Sequence, residues 1–439
     1  MEKRWHWTGC TLLMSLLAMP LQTVIAGIEW QDPVRVAEGE AHQGPWRMND
    51  SDFRYVDDPT VAINDEGVIA VAWADQSEQD LFFQLFGPDG EARMEEPVNI
   101  SASPDIFSWL PRIAIGEGEA PDVFVLWQEI VFSGGSHGGE IFFSRSTDGG
   151  HSFDDARNLS RTEAGAGKGR LSARSWQNGS LDLVRDHEGI LHVAWTEYEG
   201  RLHYARSTDE GEDFSDPVHV HGDDDRPARA PSLAVDSEGI VYLAWTTGDD
   251  PEADILLTRS TDEGESFSEP RAPVGGSGHA DAPVLLTEDG KLHLAWAESA
   301  AGPRDRYGVY FSSADTEDLE FGEARRISEP APEDHFDQAH FPHLASDGEG
   351  TVHVLWEVYP ENWQRPLALA HARGQGTPES FSDPSLVPGT GTEEVGAQGG
   401  LQGLLMRKLA VNSEGRVAVV NSSWRRNEQS SIQLLIGRP

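Results

Sequence analysis

Residues 181–195 read LDLVRDHEGILHVAW, an apolar stretch, a glycine turn, and an alternating stretch that ends at Trp195. Period-two alternation beside a glycine turn is typical of a β-hairpin. The same pattern recurs at residues 59–73, 111–127, 231–245, 283–296 and 342–356, and without the tryptophan at 408–421. Because the copies end 50 to 68 residues apart, they predict repeated β modules, as in a propeller or a solenoid.

A second motif, Ser-x-Asp-x-Gly-x-x-Phe, follows three of these hairpins, and residues 313–321 form a degraded copy. Its side chains are expected to bond their own turn, glycine to supply a positive φ, and the aromatic ring to pack beneath the module. The twelve motif residues are Ser146, Asp148, Gly150, Phe153, Ser207, Asp209, Gly211, Phe214, Ser260, Asp262, Gly264 and Phe267.

Here the chain resembles the sialidase (neuraminidase) superfamily, whose repeat carries this motif as the Asp-box, and the resemblance covers residues 27–439. It implies an all-β propeller with the Asp-boxes on the face opposite the active site, and so a structural role for the box residues. The repeats predict seven blades of about four strands each. Residues 29–36 resemble the outer-strand sequence at 214–220, so we expect an N-terminal strand to close the ring. The alternative is six blades plus an accessory hairpin, since true sialidases resemble a six-bladed ring.

Residues 1–26 read as a signal peptide, with Lys3 and Arg4 before an apolar stretch and small residues before Gly27. A membrane anchor is the alternative, but the stretch is short for a span. We therefore expect an exported protein, periplasmic or extracellular, with a single domain at 27–439 and no membrane span after cleavage. Cys10 is the only cysteine, so the mature chain would have no disulfide and no cysteine metal site.

The chain has 75 acidic and 33 basic side chains and a formal net charge of −42. Removing residues 1–26 removes one Glu, one Lys and one Arg, a net +1, which leaves −43. Such a surface excludes nucleic acid as a partner and favours solubility in concentrated salt. Calcium binding is an alternative interpretation of the same carboxylates. Otherwise no cofactor and no metal site is expected.

The loops leading into each first strand, and those after each tryptophan strand, share the face opposite the Asp-boxes. Arg54, Arg112, Arg174 and Arg229 lie at similar places in four consecutive repeats, so they could converge on an acidic glycan. The alternative is that each arginine pairs with a surplus carboxylate. Trp109 and Trp176, expected in loops of this face, would stack on sugar rings or anchor a protein partner.

Four residues are candidate catalytic groups on this face. Asp75 and Glu197 follow blade tryptophans and would serve a glycosidase, Tyr359 a nucleophilic or proton-transfer role, and His340 the base of a lyase. The chain departs from true sialidases, whose early Arg-Ile-Pro is replaced by residues 54–59 (RYVDDP). We therefore predict a propeller that acts on or recognises acidic glycans, as a glycoside hydrolase. The alternatives are a non-catalytic carbohydrate- or protein-binding propeller and a polysaccharide lyase.

Overall fold

Strands make up nearly all the regular structure of the chain. The computed structural model describes residues 27–131, 139–162, 165–172, 175–249, 252–274, 279–299, 306–360, 365–390, 397–398 and 405–439. Within these ranges the only helical element is a 3-10 turn at Pro378–Ser380. No helix of the described ranges has the length and apolar character needed to cross a membrane.

Seven small antiparallel sheets form the ring, each one a blade. Four short strands precede the first complete blade: β1 (Glu29–Trp30), β2 (Val34–Gly39), β3 (His42–Gln43) and β4 (Phe53–Arg54). Blades 1 and 2 contain β5 (Val56–Ile63), β6 (Ile69–Asp75), β7 (Asp80–Phe86), β8 (Val98–Asn99), β9 (Ser108–Ile115), β10 (Val123–Glu129), β11 (Glu140–Ser146) and β12 (Arg157–Asn158). Next comes a hairpin of β13 (Lys168–Ser172) and β14 (Ser175–Asn178).

The next two blades follow the same order from the centre outward. Blade 3 contains β15 (Leu181–Arg185), β16 (Leu191–Thr196), β17 (Leu202–Ser207) and β18 (Val218–His221). Blade 4 contains β19 (Ala228–Val235), β20 (Val241–Thr247) and β21 (Asp254–Ser260). A single bridge between Leu257 and Arg271 takes the place of its outer strand.

The last three blades complete the ring. Blades 5 and 6 contain β22 (His279–Glu288), β23 (Lys291–Ser299), β24 (Tyr307–Asp315), β25 (Arg325–Arg326), β26 (Phe336–Ser346), β27 (Val352–Pro360), β28 (Ala368–Gly374) and β29 (Ser385–Leu386). Blade 7 is built on β30 (Ala397–Gln398), β31 (Leu409–Val411), β32 (Val417–Arg425) and β33 (Gln429–Arg438).

The N-terminal strand closes the ring, as the sequence predicts. β2 pairs antiparallel with β33, from Val34 opposite Leu434 to Gly39 opposite Ser430, and β1 pairs with the end of the same strand. The first described strands thus supply the outer edge of the last blade, which leaves no unpaired β33 edge. The seven-bladed prediction is confirmed, and the six-bladed alternative is wrong.

The blade tryptophans form the core between sheets. Trp73, Trp127, Trp195, Trp245, Trp296 and Trp356 are all at least 97% buried, each on the second strand of its blade. In blade 7 the equivalent position is Asn421, which is fully buried. Because six blades each bury one tryptophan against a neighbouring blade, the ring buries a large apolar area although each blade has only a small core.

The Asp-boxes bind their own turns as expected. Ser146 Oγ donates to Asp148 Oδ1 at 2.7 Å and accepts from the Gly150 amide at 2.9 Å. The box aromatic Phe153 packs edge-on against Phe83 of the preceding blade, with ring centroids 5.4 Å apart. Equivalent contacts join Phe214 to Phe143 and Phe267 to Tyr204.

A bulge at the start of the innermost strands sets which side chains face the mouth, the open end of the ring opposite the Asp-boxes. In five blades a residue with positive φ stands immediately before a proline, and the strand register shifts there. The positive-φ residues are Asp58, Leu110, Ala230, Ala282 and Phe341. β-bulges of this kind re-aim the adjacent side chains. The side chains directly before them are Asp57, Trp109, Arg229, Asp281 and His340.

Candidate ligand site at the mouth of the propeller

The central axis is too narrow to hold a sugar. The cavity there has a volume of ≈ 60 Å³, and its lining includes Arg112, Asp182, His343 and Arg407. A single water needs about 10 to 15 Å³ of such space, so the cavity suits a few waters. A ligand as large as a sugar ring would therefore fit only on the rim of the mouth.

Arg112 is part of this axial packing and does not face an open groove. It is 1% exposed, and its Nη2 donates to the carbonyls of Gly179 at 2.8 Å and Leu405 at 2.7 Å. Burial lowers the pKa of Arg112 to about 10. Its guanidinium thus joins blades 2, 3 and 7 through their backbones.

The other predicted arginines have different partners. Arg54 pairs with Glu40 at 2.8 Å and Asp52 at 3.1 Å, on the β3–β4 hairpin. Arg229 is fully buried, 3.4 Å from Asp281. Arg174 lies outside the described residues. The three described arginines therefore have separate partners: carboxylates for Arg54 and Arg229, as the alternative predicted, and backbone carbonyls for Arg112.

A cluster of proton-transfer side chains surrounds Asp281 at the mouth ends of blades 4 to 6. The Tyr307 ring lies 4.4 Å from the ring of His340 and 5.9 Å from that of His279, measured between centroids. Asp281 accepts a hydrogen bond from Thr246 at 3.0 Å. Burial opposes its ionisation, but the charges of Arg229 and both histidines lower the pKa of Asp281 overall.

An open groove lies directly beside this cluster, between blades 5 and 6. Its volume is ≈ 600 Å³, and its lining includes Arg306, Arg326, Ser328, Gln338 and Ala339. Arg306 precedes Tyr307 in the chain and Ala339 precedes His340, so the cluster adjoins the end of the groove lined by Arg306 and Ala339, which we call its inner end. Within the described residues Gln338 Oε1 is buried without a hydrogen-bond partner.

The guanidiniums of this groove are paired but partly open to solvent. The Arg306 side chain is 61% exposed and lies 3.4 Å from Asp337, and Arg326 is 2.8 Å from Glu329. Exposed ion pairs of this kind contribute little to stability, so an anionic ligand can replace the carboxylate partner at low cost. The groove has the volume expected of a site for one or two sugar rings.

The predicted carboxylates lie at positions that repeat around the ring. Asp75 and Glu197 each stand two residues after a blade tryptophan, as do Glu129 and Glu298. In blades 2 and 5 the carboxylate accepts a hydrogen bond from that tryptophan, at 3.1 Å for Glu129 and 2.8 Å for Glu298. In those two blades the position therefore serves blade packing, whereas the Trp195 indole of blade 3 is buried without a hydrogen-bond partner among the described residues.

Asp75 and Glu197 also have local partners. Asp75 accepts from the amide of Ser77 at 2.9 Å, and burial raises its pKa. Glu197 lies 3.2 Å from His203. Burial opposes its ionisation, but the hydrogen bond from His203 lowers the pKa of Glu197 overall. They belong to blades 1 and 3 and form no pair across the mouth.

Tyr359 has the carboxylate neighbour that a tyrosine nucleophile would need, but in a closed environment. Its hydroxyl donates to Glu357 Oε2 at 2.5 Å, and Glu357 also bonds the ammonium of Lys408. Glu357 and Lys408 are fully buried and Tyr359 is 2% exposed. Burial and the charge of Glu357 raise the pKa of Tyr359 well above its usual value, which opposes phenolate formation.

The expectation that Trp109 and Trp176 lie in loops is wrong, because both lie in strands. Trp109 lies in β9 and is 1% exposed, and its indole donates to Gln128 at 3.1 Å. Trp176 lies in β14 and is 43% exposed. The positive φ at Leu110 bends β9 directly after Trp109, and the buried Trp109 ring packs under the exposed Trp46 ring.

Trp109 lines a second, smaller groove on the rim of blades 1 to 3. Its volume is ≈ 310 Å³, and its lining includes Trp46, Phe53, Lys168 and Asn178. Trp46 is 42% exposed and stacks on Trp109 with centroids 5.3 Å apart.

Sequence reasoning did not select Trp46, Lys168, Asp281, Tyr307 or Arg306 as candidate site residues. One signal was available for Asp281, which occupies the position two residues before a proline that also holds Arg229 and His340. Lys168 lies in β13 and Trp46 between β3 and β4, outside the repeated blade strands, where no repeat predicts an orientation.

No protein family model matches the chain, and no curated protein matches it by sequence. Several solved structures are similar in fold. A PL25 ulvan lyase bound to -[GlcA(1-4)Rha3S]- has a TM-score of 0.56 at 9% identity, covering 91% of this chain and 95% of the other. The polysaccharide lyase Uly1 has a TM-score of 0.54 at 10% identity, covering 93% and 99%. The NanB sialidase of Streptococcus pneumoniae has a TM-score of 0.48 at 11% identity, covering 76% and 68%. At these identities, the two likenesses with TM-scores above 0.5 show that the chain has the propeller fold of these proteins.

Proposed function

We propose that this protein is exported and acts on an acidic glycan at the groove between blades 5 and 6, by β-elimination next to a uronate. One observation carries the proposal: Tyr307 packs against His279 and His340, which with Arg229 act on Asp281, and this cluster adjoins a groove whose lining includes Arg306 and Arg326. Two polysaccharide lyases share the fold, and one was solved with a glucuronate-containing ligand.

The reaction needs three tasks, and side chains of the right type are present for each. Arg306 or Arg326 would bind the uronate carboxylate and so acidify the hydrogen on the adjacent carbon. His340, as the neutral imidazole, would remove that proton. The electron pair then forms a carbon–carbon double bond, the bond to the leaving glycosidic oxygen breaks, and Tyr307 would protonate that oxygen.

Hydrolysis is supported less well by the same site. A glycosidase needs two carboxylic groups about 5 to 10 Å apart on either side of the bond. Asp75 and Glu197 lie in different blades and have local partners, and Glu357 is bound by Lys408 and Tyr359.

Recognition without turnover is the second candidate, and a specific observation favours it. Tyr307 is 2% exposed and His340 3% exposed, so a sugar reaches them only if the inner end of the groove opens. The paired but exposed Arg306 would bind an acidic glycan in either case.

The test is turnover of uronate-containing polysaccharides, followed by the ultraviolet absorbance of the unsaturated uronate and by reducing-end release. We expect absorbance and reducing ends to rise together with the wild-type protein. His340→Ala and Tyr307→Phe should abolish both signals. His335→Ala is the matched control, because His335 is exposed on the same approach to β26 and should keep full activity. Reducing ends without absorbance would indicate a hydrolase, and binding without either signal would indicate recognition alone.

A further inference from the structure

Within the described ranges, Lys168 is a cation without a carboxylate partner, in a strongly acidic chain. Among the described residues no Asp or Glu forms an ion pair with its ammonium, although acidic side chains outnumber basic ones 75 to 33. At the mouth, by contrast, Arg54, Arg229 and Arg306 each lie within 3.4 Å of a carboxylate. A partly buried ammonium with no counter-charge is electrostatically unsatisfied.

Aromatic rings surround this ammonium on several sides. Lys168 Nζ lies 5.8 Å from the centroids of Trp46 and Trp109 and 5.7 Å from that of Tyr198. Cation–π contacts partly offset the lost hydration and hold the ammonium in place. The Trp176 ring lies 6.1 Å from that of Tyr198. Trp46, Trp109, Tyr198 and Trp176 thus form a row of aromatic rings.

The row is open where a ligand would approach. Trp46 and Trp176 are the two most exposed large apolar side chains of the described residues, at 42% and 43%, and they stand at the two ends of the row. The groove of ≈ 310 Å³ beside Lys168 is large enough for one sugar ring. Exposed indoles stack on the apolar faces of sugars, and an ammonium binds a carboxylate or a sulfate as a point charge.

We propose that the groove lined by Trp46, Trp109 and Lys168, together with the adjoining rings of Tyr198 and Trp176, is a binding subsite for a sugar ring that carries a carboxylate or sulfate group. The group sits on the Lys168 ammonium, and the ring stacks on Trp46 or Trp176. This subsite belongs to blades 1 to 3, whereas the proposed reaction site belongs to blades 5 and 6. The inference shares with the proposed function only the class of ligand, and a long acidic glycan would contact both.

The experiment measures binding of oligosaccharides by quenching of tryptophan fluorescence and by calorimetry. Three probes of equal length separate the ligand chemistries: a uronate oligosaccharide, a sulfated oligosaccharide without uronate, and the neutral oligosaccharide. We expect Lys168→Met to weaken binding of at least one acidic probe about tenfold or more, the loss of one charge-assisted contact. Lys168→Arg should retain most of the affinity. Lys291→Met is the matched control, since Lys291 is an exposed lysine at the turn between β22 and β23, away from the mouth.

Unchanged affinity of folded Lys168→Met for both acidic probes would overturn the proposal, as would equal binding of the neutral probe by the wild type. Trp46→Ala gives an independent check, because it removes the stacking surface and leaves the charge. Turnover of a short substrate at the other groove should be the same in the control Lys291→Met and wild type. Loss of turnover in His340→Ala with intact binding to the Lys168 groove would therefore separate the two sites.

Discussion

At the scale of the residue, hydrogen bonds within the Asp-box are the clearest local determinant. In the box at 260–267, Ser260 Oγ donates to Asp262 at 2.7 Å and accepts from the Gly264 amide at 2.8 Å. Ser266 also donates to Asp262, at 2.5 Å, but lies at the surface. These hydrogen bonds, from Ser266 and Ser260, hold the pKa of Asp262 at about 2.

Ser260→Ala should therefore lower the free energy of unfolding by about 1 to 3 kcal/mol, because it leaves the buried Gly264 amide without an acceptor. Ser266→Ala, in the same box, should change it by less than about 0.5 kcal/mol, because water replaces the lost bond. Urea unfolding followed by tryptophan fluorescence measures both. Equal effects of the two substitutions would show that burial of the box serine does not matter.

The pH dependence of acidic-glycan binding follows from Lys168. Burial lowers the pKa of this lysine to about 8. Its ammonium is charged below that pH and neutral above it, so affinity for an acidic probe should be full near pH 7 and fall as the pH rises through about 8. Titration calorimetry at several pH values measures this. Lys168→Arg should bind independently of pH over the same range, since arginine stays charged, and a flat wild-type profile would contradict the assignment.

At the scale of the element, arginines join each blade to the turn of the next. Arg145 Nη1 donates to the carbonyl of Glu210 at 2.7 Å, in the Asp-box of the following blade. Arg259 Nη1 donates to the carbonyls of Thr316 at 3.0 Å and Glu317 at 3.3 Å. The third strand of a blade and the box turn of its neighbour are thus held together on the face opposite the mouth.

Arg259→Ala should destabilise the protein by about 1 to 3 kcal/mol, because two backbone carbonyls lose a charged donor. Arg201→Ala is the control, since its exposed side chain lies 3.8 Å from an exposed Glu199 and contributes little. Thermal unfolding of both variants tests this expectation. A melting temperature unchanged in Arg259→Ala would show that the inter-blade contact carries no net stability.

At the scale of the whole molecule, stability depends on closure of the ring by β2. Removing residues 27–40 would expose the edge of β33, and we expect loss of cooperative unfolding and association of the exposed edges. Light scattering and thermal unfolding measure these effects. Addition of a peptide with the sequence of residues 27–40 should restore cooperative unfolding and remove the association. A truncated protein that unfolds like the full chain would contradict the role of β2.

The charge of the whole chain predicts a dependence on salt. With a net charge near −42, repulsion between carboxylates opposes the compact state, and salt screens it. The melting temperature should therefore rise with sodium chloride concentration at pH 7. The increase in melting temperature should be smaller at a pH low enough to neutralise part of the carboxylates. An equal increase at both pH values would show that charge screening does not cause the effect.

The sequence alone determined the repeat. Local signals, namely the glycine hairpin, the buried tryptophan and the Asp-box, gave the blades, their number and the closing strand, because each depends on residues close together in the chain or on a repeated pattern. The loops expected at the mouth also followed from topology. The sequence could not determine which side chains meet there. The positive φ before each proline turns Arg229, Asp281 and His340 toward one another. Trp46 lies more than 100 residues before Lys168 and Tyr198 in the chain, yet packs beside them. Only the tertiary structure decides such contacts, because they depend on the angle between blades and on loop paths that no local pattern encodes.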